Sequence, residues 1–278
     1  MKVFFYITFA LVAFAFNSIL CRLALRGEEI DAASFTGVRL ASGAITLIVI
    51  SYFIGKQNKQ KLSGSWPSAL FLFAYAICFS LAYLNLTAGT GALILFGSVQ
   101  MTMIAVTLFR GERPRLLEWV GLITAVGGLV YLVFPGLASP PLTSSLLMAI
   151  AGASWGFYTL RGKLSGDPLA NTTGNFVRTL PFAVIAVLVF IPNLHLSTRG
   201  IILAVFSGSI ASGIGYTVWY AALKHHTATR AAVLQLAVPI ITACIGVLFL
   251  AEIATPRLLI AAAFILGGIG LTIFGRKS

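Results

Sequence analysis

The sequence predicts an all-α membrane protein whose ten transmembrane helices form two inverted-topology repeats of five helices each. Three observations lead there. Only 9% of the 278 residues are charged and the mean hydropathy is +0.98, whereas soluble domains carry about 25% charged residues. Apolar runs of about 20 residues, the length of helix that crosses a hydrocarbon core, recur along the chain. The second half also repeats the first. Phe16, Arg22 and Arg39 recur as Trp155, Arg161 and Arg178, and Glu112 with Gly127-Gly128 recurs as Glu252 with Gly267-Gly268.

The apolar runs place helices at 3–25, 33–55, 67–87, 90–109 and 116–134, then at 144–163, 172–192, 199–222, 229–250 and 257–274. The first follows Met1-Lys2 like a signal peptide. No small-residue cleavage site ends it, it carries Asn17, and it has a later copy, so it reads as a retained helix. Ala88-Gly89-Thr90 and Asn193 to Thr198 read as tight turns, leaving no room for a soluble domain. The stretch from Pro135 to Ser144, uncharged and rich in Pro and Gly, cannot continue a helix and joins the two copies, residues 1–135 and 144–278. Symmetry is imperfect: Pro239 interrupts the ninth helix where the first copy has Val99, and Ala261 stands where it has Gly121.

The net charge of +12 does not imply nucleic acid, because the basic residues are confined to breaks between apolar runs. That is how a membrane protein carries its charge. Cys21, Cys78 and Cys244 lie within apolar runs and read as small buried side chains. No phosphate-binding glycine loop, metal-ligand cluster or nucleophile–base pair is present, so neither cofactor nor metal is expected. His225 and His226 are adjacent and face different sides of any helix. An intramembrane enzyme needs acid, base or metal-ligating side chains clustered at one membrane face, and none is seen.

With both termini cytoplasmic, the inner segments collect Lys2, Lys56, Lys59, Lys61, Arg110, Arg113, Arg115, Arg161, Lys163, Lys224, Arg230, Arg276 and Lys277. The first outer loop carries Glu28, Glu29 and Asp31. The positive-inside rule favours this orientation. An odd number of spans per copy then turns the second copy upside down, with Glu112 inside and Glu252 outside. Inverted repeats are the architecture of alternating-access transporters, with a substrate site near the bilayer midplane.

Polar groups inside lipid-embedded helices need a partner or a wet cavity. Asn17, Gln100 and Gln235 sit near the middle of helices 1, 4 and 9 and either orient a zwitterionic substrate or cross-link helices. Tyr75, Phe79 and Tyr83 fall at i, i+4 and i+8 on one face of helix 3. Tyr216, Trp219 and Tyr220 do something similar on helix 8, and Trp155 and Tyr158 lie on helix 6. Such rings wall a cavity for a planar apolar substrate or pack helices together. Arg39 and Arg178, within snorkelling reach of the interface, are expected to bond helix-end carbonyls or a neighbouring loop. Glu112 and Glu252 are expected to cap the helix that follows or to pair with Arg113 and Arg257. Gly152-x-x-x-Gly156 and Ser209-x-x-x-Gly213 permit close backbone approach.

The doubled five-helix pattern, with Glu112 and Glu252 each followed by a helix ending in Gly-Gly, resembles the drug/metabolite transporter superfamily with its tandem EamA-type repeats. The aromatic-rich interior and the run Gly97-Ser-Val-Gln100-Met are similar to the YddG-type bacterial aromatic amino-acid exporters. The resemblance implies an inner-membrane exporter of aromatic amino acids and related small metabolites. Its partners would be a small-molecule substrate and membrane lipid, with no nucleic acid, and it would function as a monomer. Alternatives are an exporter of other small solutes such as aliphatic amino acids or nucleosides, an intramembrane enzyme, or a channel. All seven acidic residues, Glu28, Glu29, Asp31, Glu112, Glu118, Asp167 and Glu252, lie in loops or near helix ends. Gradient-driven facilitative transport is therefore expected. Orientation is checked by labelling: cysteine introduced at Ser63 should react with impermeant maleimide only from the cytoplasmic side, and at Ser139 only from outside.

Overall fold

A computed structural model describes residues 2–54, 63–109, 115–134, 136, 139–162, 166–223 and 234–275. Ten main helices occur among these residues, with a short 3-10 turn at Ile191–Asn193: α1 (Lys2–Arg26), α2 (Ala32–Ile54), α3 (Trp66–Tyr83), α4 (Ala88–Phe109), α5 (Leu116–Val133), α6 (Leu142–Gly162), α7 (Pro168–Val189), α8, α9 (Ala237–Leu250) and α10 (Pro256–Gly275). The eighth is continuous but changes register, running as α-helix over Thr198–Phe206, π-helix over Ser207–Ile214 and α-helix over Gly215–Leu223. No strand is present among the described residues, only an isolated bridge between Ile30 and Leu196. Glu112, Arg113, His225, His226 and most of the inner basic residues lie outside the described residues.

Helix starts follow from capping chemistry. Each needs acceptors for its first N–H groups, and short oxygen-bearing side chains supply them. Asp31 serves Ser34 N–H, Ser65 serves Ser68, Thr87 serves Thr90, Asp167 serves Leu169 and Ala170, Ser197 serves Gly200, and Thr255 serves Leu258. These caps correct two expected boundaries. The turn before α4 is residues 84–87, and Ala88-Gly89-Thr90 is already the first helical turn; α7 begins at Pro168, not at residue 172. The ninth helix is broken just before Pro239: residues 234–235 are helical, Leu236 is a turn, and α9 starts anew at Ala237. Pro239 is the third residue of that helix, within the first turn, where the backbone N–H has no helical acceptor.

Eight described helices are long and apolar enough to cross a membrane: α1 to α5, α7, α8 and α10. The described part of α9 is shorter, at 14 residues. α6 is long enough but less apolar, because its buried face carries Ser144, Ser145, Ser154 and Thr159 among glycines. Large apolar side chains point outward all around, such as Ile185, Leu188, Leu248, Phe249 and Leu259. Lipid is the solvent that tolerates them. The chain is an integral membrane protein.

The most extensive packing joins the first half of the chain to the second. α5 packs on α10, α3 and α4 on α6, α2 on α7, α8 on α1 and α2, α9 on α1 and α4, and α3 on α7. Missing side chains allow these approaches, since apolar helices gain nothing from one another over lipid unless their backbones pack closely. At the α5–α10 crossing, a Cβ on Gly268 would lie 2.5 Å from the Gly121 carbonyl oxygen, and one on Gly121 would meet the Gly268 carbonyl in return. At the α4–α6 crossing a Cβ on Gly152 would lie 2.5 Å from the Leu95 carbonyl. Gly267, beside Gly268, faces open space. Gly268→Ala should therefore lower the melting temperature of the purified protein by several degrees, overpacking costing about 1–3 kcal/mol. Gly267→Ala should be neutral or slightly stabilising. Equal losses at both positions would place the close contact elsewhere.

Candidate functional site

The site is built where α8 changes register. A π turn closes i→i+5 and so brings residues five apart toward one face, here Ser207 and Ser212. Gly208 lets α8 press against α2, for a Cβ there would collide with the Arg39 carbonyl and the Ser42 hydroxyl. Ser209, singled out in the sequence for close approach, turns away and bonds the Val205 carbonyl at 2.6 Å.

Arg39 of α2 is the largest departure from the sequence expectation. It does not snorkel to the interface. It is 1% exposed, with Nε donating to Ser212 Oγ at 3.0 Å and Nη2 to the hydroxyls of Tyr75 at 3.1 Å and Tyr216 at 2.9 Å. Its guanidinium carbon stands 5.2 Å from the ring centres of both Tyr75 and Phe79, within cation–π range. The reason is local: the short residues of α8, Gly208 and Ser212, leave a polar slot beside α2. Arg178 behaves as expected, donating to the carbonyl of Ser63, in the neighbouring loop before α3, at 2.7 Å. The polar cluster continues to α1, where Asn17 Nδ2 donates to the Tyr75 hydroxyl at 3.2 Å and Asn17 Oδ1 accepts from Ser207 Oγ at 2.6 Å.

A cavity adjoins this cluster, lined by Phe14, Asn17 and Ser18 of α1, Tyr75 and Phe79 of α3, Leu95 and Phe96 of α4, Trp155 of α6 and Tyr216 of α8. Its rings interlock: Trp155 lies 4.6 Å from Tyr216, 5.0 Å from Tyr75 and 6.0 Å from Phe14 between centres. The free volume is about 10 Å³, room for about one water. The site is closed. Of the candidates read from sequence, Asn17, Tyr75, Phe79, Trp155 and Tyr216 meet here, while Tyr83, Gln100, Tyr158, Trp219 and Gln235 are buried but do not line the cavity. Tyr83 donates to the Ala88 carbonyl, Tyr158 packs on Trp155 and Tyr220, and Trp219 packs on Phe14. Phe14, Ser18, Leu95 and Phe96 were not singled out; apolar residues in apolar runs carry no signal of their own, and a small serine, common in membrane helices, carries little. A larger groove of about 430 Å³ between α4, α9 and α10, walled by Leu93, Ala243, Val247 and Leu258 among others, is apolar almost throughout. It has nothing to orient a polar solute. Among the described residues no group of His, Cys, Asp or Glu side chains is placed to hold a metal ion.

Comparison with known proteins now identifies the architecture. Residues 1–134 and 142–274 each match the EamA-like transporter family. The chain belongs to that family. An uncharacterized protein of Pseudomonas aeruginosa is 47% identical over 267 residues, covering 96% of this chain and 93% of its own. The threonine/homoserine exporter RhtA of Escherichia coli K12 is 30% identical over 260 residues, covering 89% of this chain and 84% of its own. One solved crystal structure superposes with a TM-score of 0.65 at 18% identity, covering 95% of this chain and 97% of the other, which speaks for the fold alone. This EamA-family protein, a member of the drug/metabolite transporter superfamily, is a transporter and not an enzyme.

In this transporter Glu252 and two arginines tie helices together at the end of the bundle that carries the α1–α2 loop. Glu252 neither caps the helix that follows it nor pairs with Arg257. Its Oε1 pairs with Arg22 Nε at 3.4 Å and its Oε2 accepts from Ala88 N–H at the start of α4 at 2.8 Å. Ala251, in the left-handed region at φ 50°, turns the chain to bring it there. Arg22 also donates to the Tyr83 carbonyl at 2.9 Å, and Arg26 to the Leu250 carbonyl at 2.7 Å. Arg257 instead bonds the carbonyls of Tyr131 and Phe134 at the end of α5. The Arg22–Glu252 pair is mostly buried, with side chains 12% and 7% exposed, and breaking such a pair costs about 3–5 kcal/mol. Cys21, beside it, is fully buried. In a Cys78→Ala, Cys244→Ala background, Glu252→Gln should raise the rate at which Cys21 reacts with impermeant maleimide several-fold. An unchanged rate would mean that the pair does not hold this end shut.

Proposed function

We propose that this transporter exports amino acids across the bacterial inner membrane by alternating access, with aromatic amino acids as its preferred substrates. The observation that carries the reading is the convergence of rings from both halves of the chain, Phe14, Tyr75, Phe79, Trp155 and Tyr216, on one cavity that also presents Asn17 and Ser18. Stacking against such rings is worth about 0.5–1.5 kcal/mol per pair beyond area burial. Amino-acid export is supported by the kinship to a threonine/homoserine exporter. That kinship also favours a second reading, in which small hydroxylic amino acids occupy the polar corner at Asn17, Ser18 and Ser207.

The alternating-access part rests on a symmetry of the helix contacts. Numbering each helix five higher in the second half, the α5–α10, α2–α7 and α4–α9 contacts map onto themselves. The α3–α6 contact maps onto α8–α1, α4–α6 onto α9–α1, and α3–α7 onto α8–α2. This correspondence supports two like units, residues 1–135 and 144–278, related by a pseudo-two-fold axis. An axis in the membrane plane makes them inverted repeats, with both termini cytoplasmic. The two packings of such repeats differ little in free energy and open to opposite sides. In the present conformation Arg22 and Glu252 tie helices at one end and the cavity is collapsed, so loading requires the walls to part. Ligand pockets run to about 300–1,000 Å³. One chain holds the whole cavity, which fits function as a monomer.

Energy coupling by protons needs a titrating group that alternates between the two sides. Among the described acidic residues Glu28, Glu29, Asp31, Glu118, Asp167 and Glu252 belong to loops or helix ends, which supports facilitative transport. In proteoliposomes, labelled amino acids should equilibrate without accumulating, with or without an imposed pH gradient. Trp155→Ala should lower phenylalanine and tryptophan flux about tenfold, two lost ring contacts being worth that much, while threonine flux falls less. Uphill accumulation abolished by an ionophore would overturn the facilitative reading, and equal losses for all substrates would overturn the aromatic one.

A further inference from the structure

Arg39 holds a full positive charge within the bundle, and nothing negative answers it. The two ion pairs among the described residues, Arg22–Glu252 and Arg199–Glu29, leave it out. Its hydrogen-bond partners, Ser212, Tyr75 and Tyr216, are neutral hydroxyls. Nη1 is buried and has no hydrogen-bond partner. An arginine at the centre of a membrane helix costs about 3 kcal/mol even by the mildest scale, and a buried donor left unmade adds to that.

Counting hydrogens sharpens the point. A phenol oxygen has two acceptor sites and one hydrogen. The Tyr75 oxygen accepts from Arg39 and from Asn17, so its own hydrogen must leave toward another acceptor. The nearest phenol is Tyr216 at 3.4 Å, whose oxygen already accepts from Arg39. One contact between two phenols uses one of their two hydrogens and leaves the other over, together with both hydrogens of Nη1. Asn17 Oδ1 accepts from Ser207 and from neither phenol. This wall of the cavity has donors in excess and a net positive charge. A carboxylate, which only accepts and is negative, supplies both of the things that are missing.

We propose that the carboxylate of the transported solute docks on the hydroxyls of Tyr75 and Tyr216, with Arg39 behind them as its counter-charge. Tyr75 and Tyr216 line the cavity themselves and Arg39 stands one layer back, where it aligns both phenols. The transporter thus selects for the acid group of an amino acid, whatever its side chain, and rejects the corresponding amide or amine. The inference rests on the amino-acid reading above and adds to it the group recognised and the residues that recognise it.

The test compares matched solutes in proteoliposome counterflow: L-phenylalanine, L-phenylalanine amide and 2-phenylethylamine, and L-threonine with its amide. The unaltered protein should prefer each acid over its amide by about tenfold or more, as expected for a charge-assisted hydrogen bond. Arg39→Gln should lower flux of the acids without lowering flux of the amides and the amine, so that the preference disappears. Tyr216→Phe, which keeps the ring and removes one hydroxyl, should reduce the preference several-fold, and it decides the matter if Arg39→Gln fails to fold. A loss shared equally by acids, amides and amine in both variants would make Arg39 a helix cross-link and overturn the proposal, leaving amino-acid export intact. Failure of the unaltered protein to move any amino acid would overturn both.

Discussion

The arrangement of the bundle depends on what hydrocarbon withholds. Lipid offers no hydrogen bonds, so a polar group inside must find its partners in the protein. Arg39 meets that requirement by reaching from α2 to Tyr75 on α3 and to Ser212 and Tyr216 on α8, and Asn17 extends the cluster to α1. Four helices from both halves of the chain are thereby held in one register. Moving any of them by a helical turn would strand a cation or a phenol in lipid. Three of the residues that fix the helices, Asn17, Tyr75 and Tyr216, also line the cavity, with Arg39 one layer behind them.

Around this cluster, helices come close only where side chains are missing. Gly208 admits α8 to the α2 backbone, Gly121 and Gly268 join α5 to α10, and Gly152 joins α6 to α4. These contacts cross between the two halves rather than within them. The seams between the halves are thus lined by glycine, where few side chains interlock. The π segment of α8 lies on one such seam and carries both serines of the polar cluster. It is the element best placed to pass a change in the cavity to the packing between the halves.

At one end of the bundle the tie is electrostatic, through Arg22, Glu252 and the Ala88 N–H. At the centre it is aromatic, through the mutual contacts of Trp155, Tyr75, Tyr216 and Phe14. The two differ in what opens them. An ion pair is released by competing polar groups or water, whereas packed rings part only for something that replaces their apolar contacts. A solute with a charged head and an apolar body offers both.

The sequence by itself determined the membrane solvent and most helix starts to within a few residues, because hydropathy is a local property. It also pointed to Asn17, Tyr75, Phe79, Trp155 and Tyr216, since a polar residue in an apolar run, or rings four apart, mark one helix face without knowledge of its neighbours. It misplaced Arg39 and Glu252 for one reason. The direction a long charged side chain takes depends on the nearest place it is satisfied, and that place lies on other helices: Ser212 and Tyr216 for Arg39, Arg22 and Ala88 for Glu252. Only the tertiary structure brings together residues more than 170 positions apart, seats Gly208 of the π segment against the α2 backbone, and leaves one arginine inside with a buried Nη1 that has no acceptor.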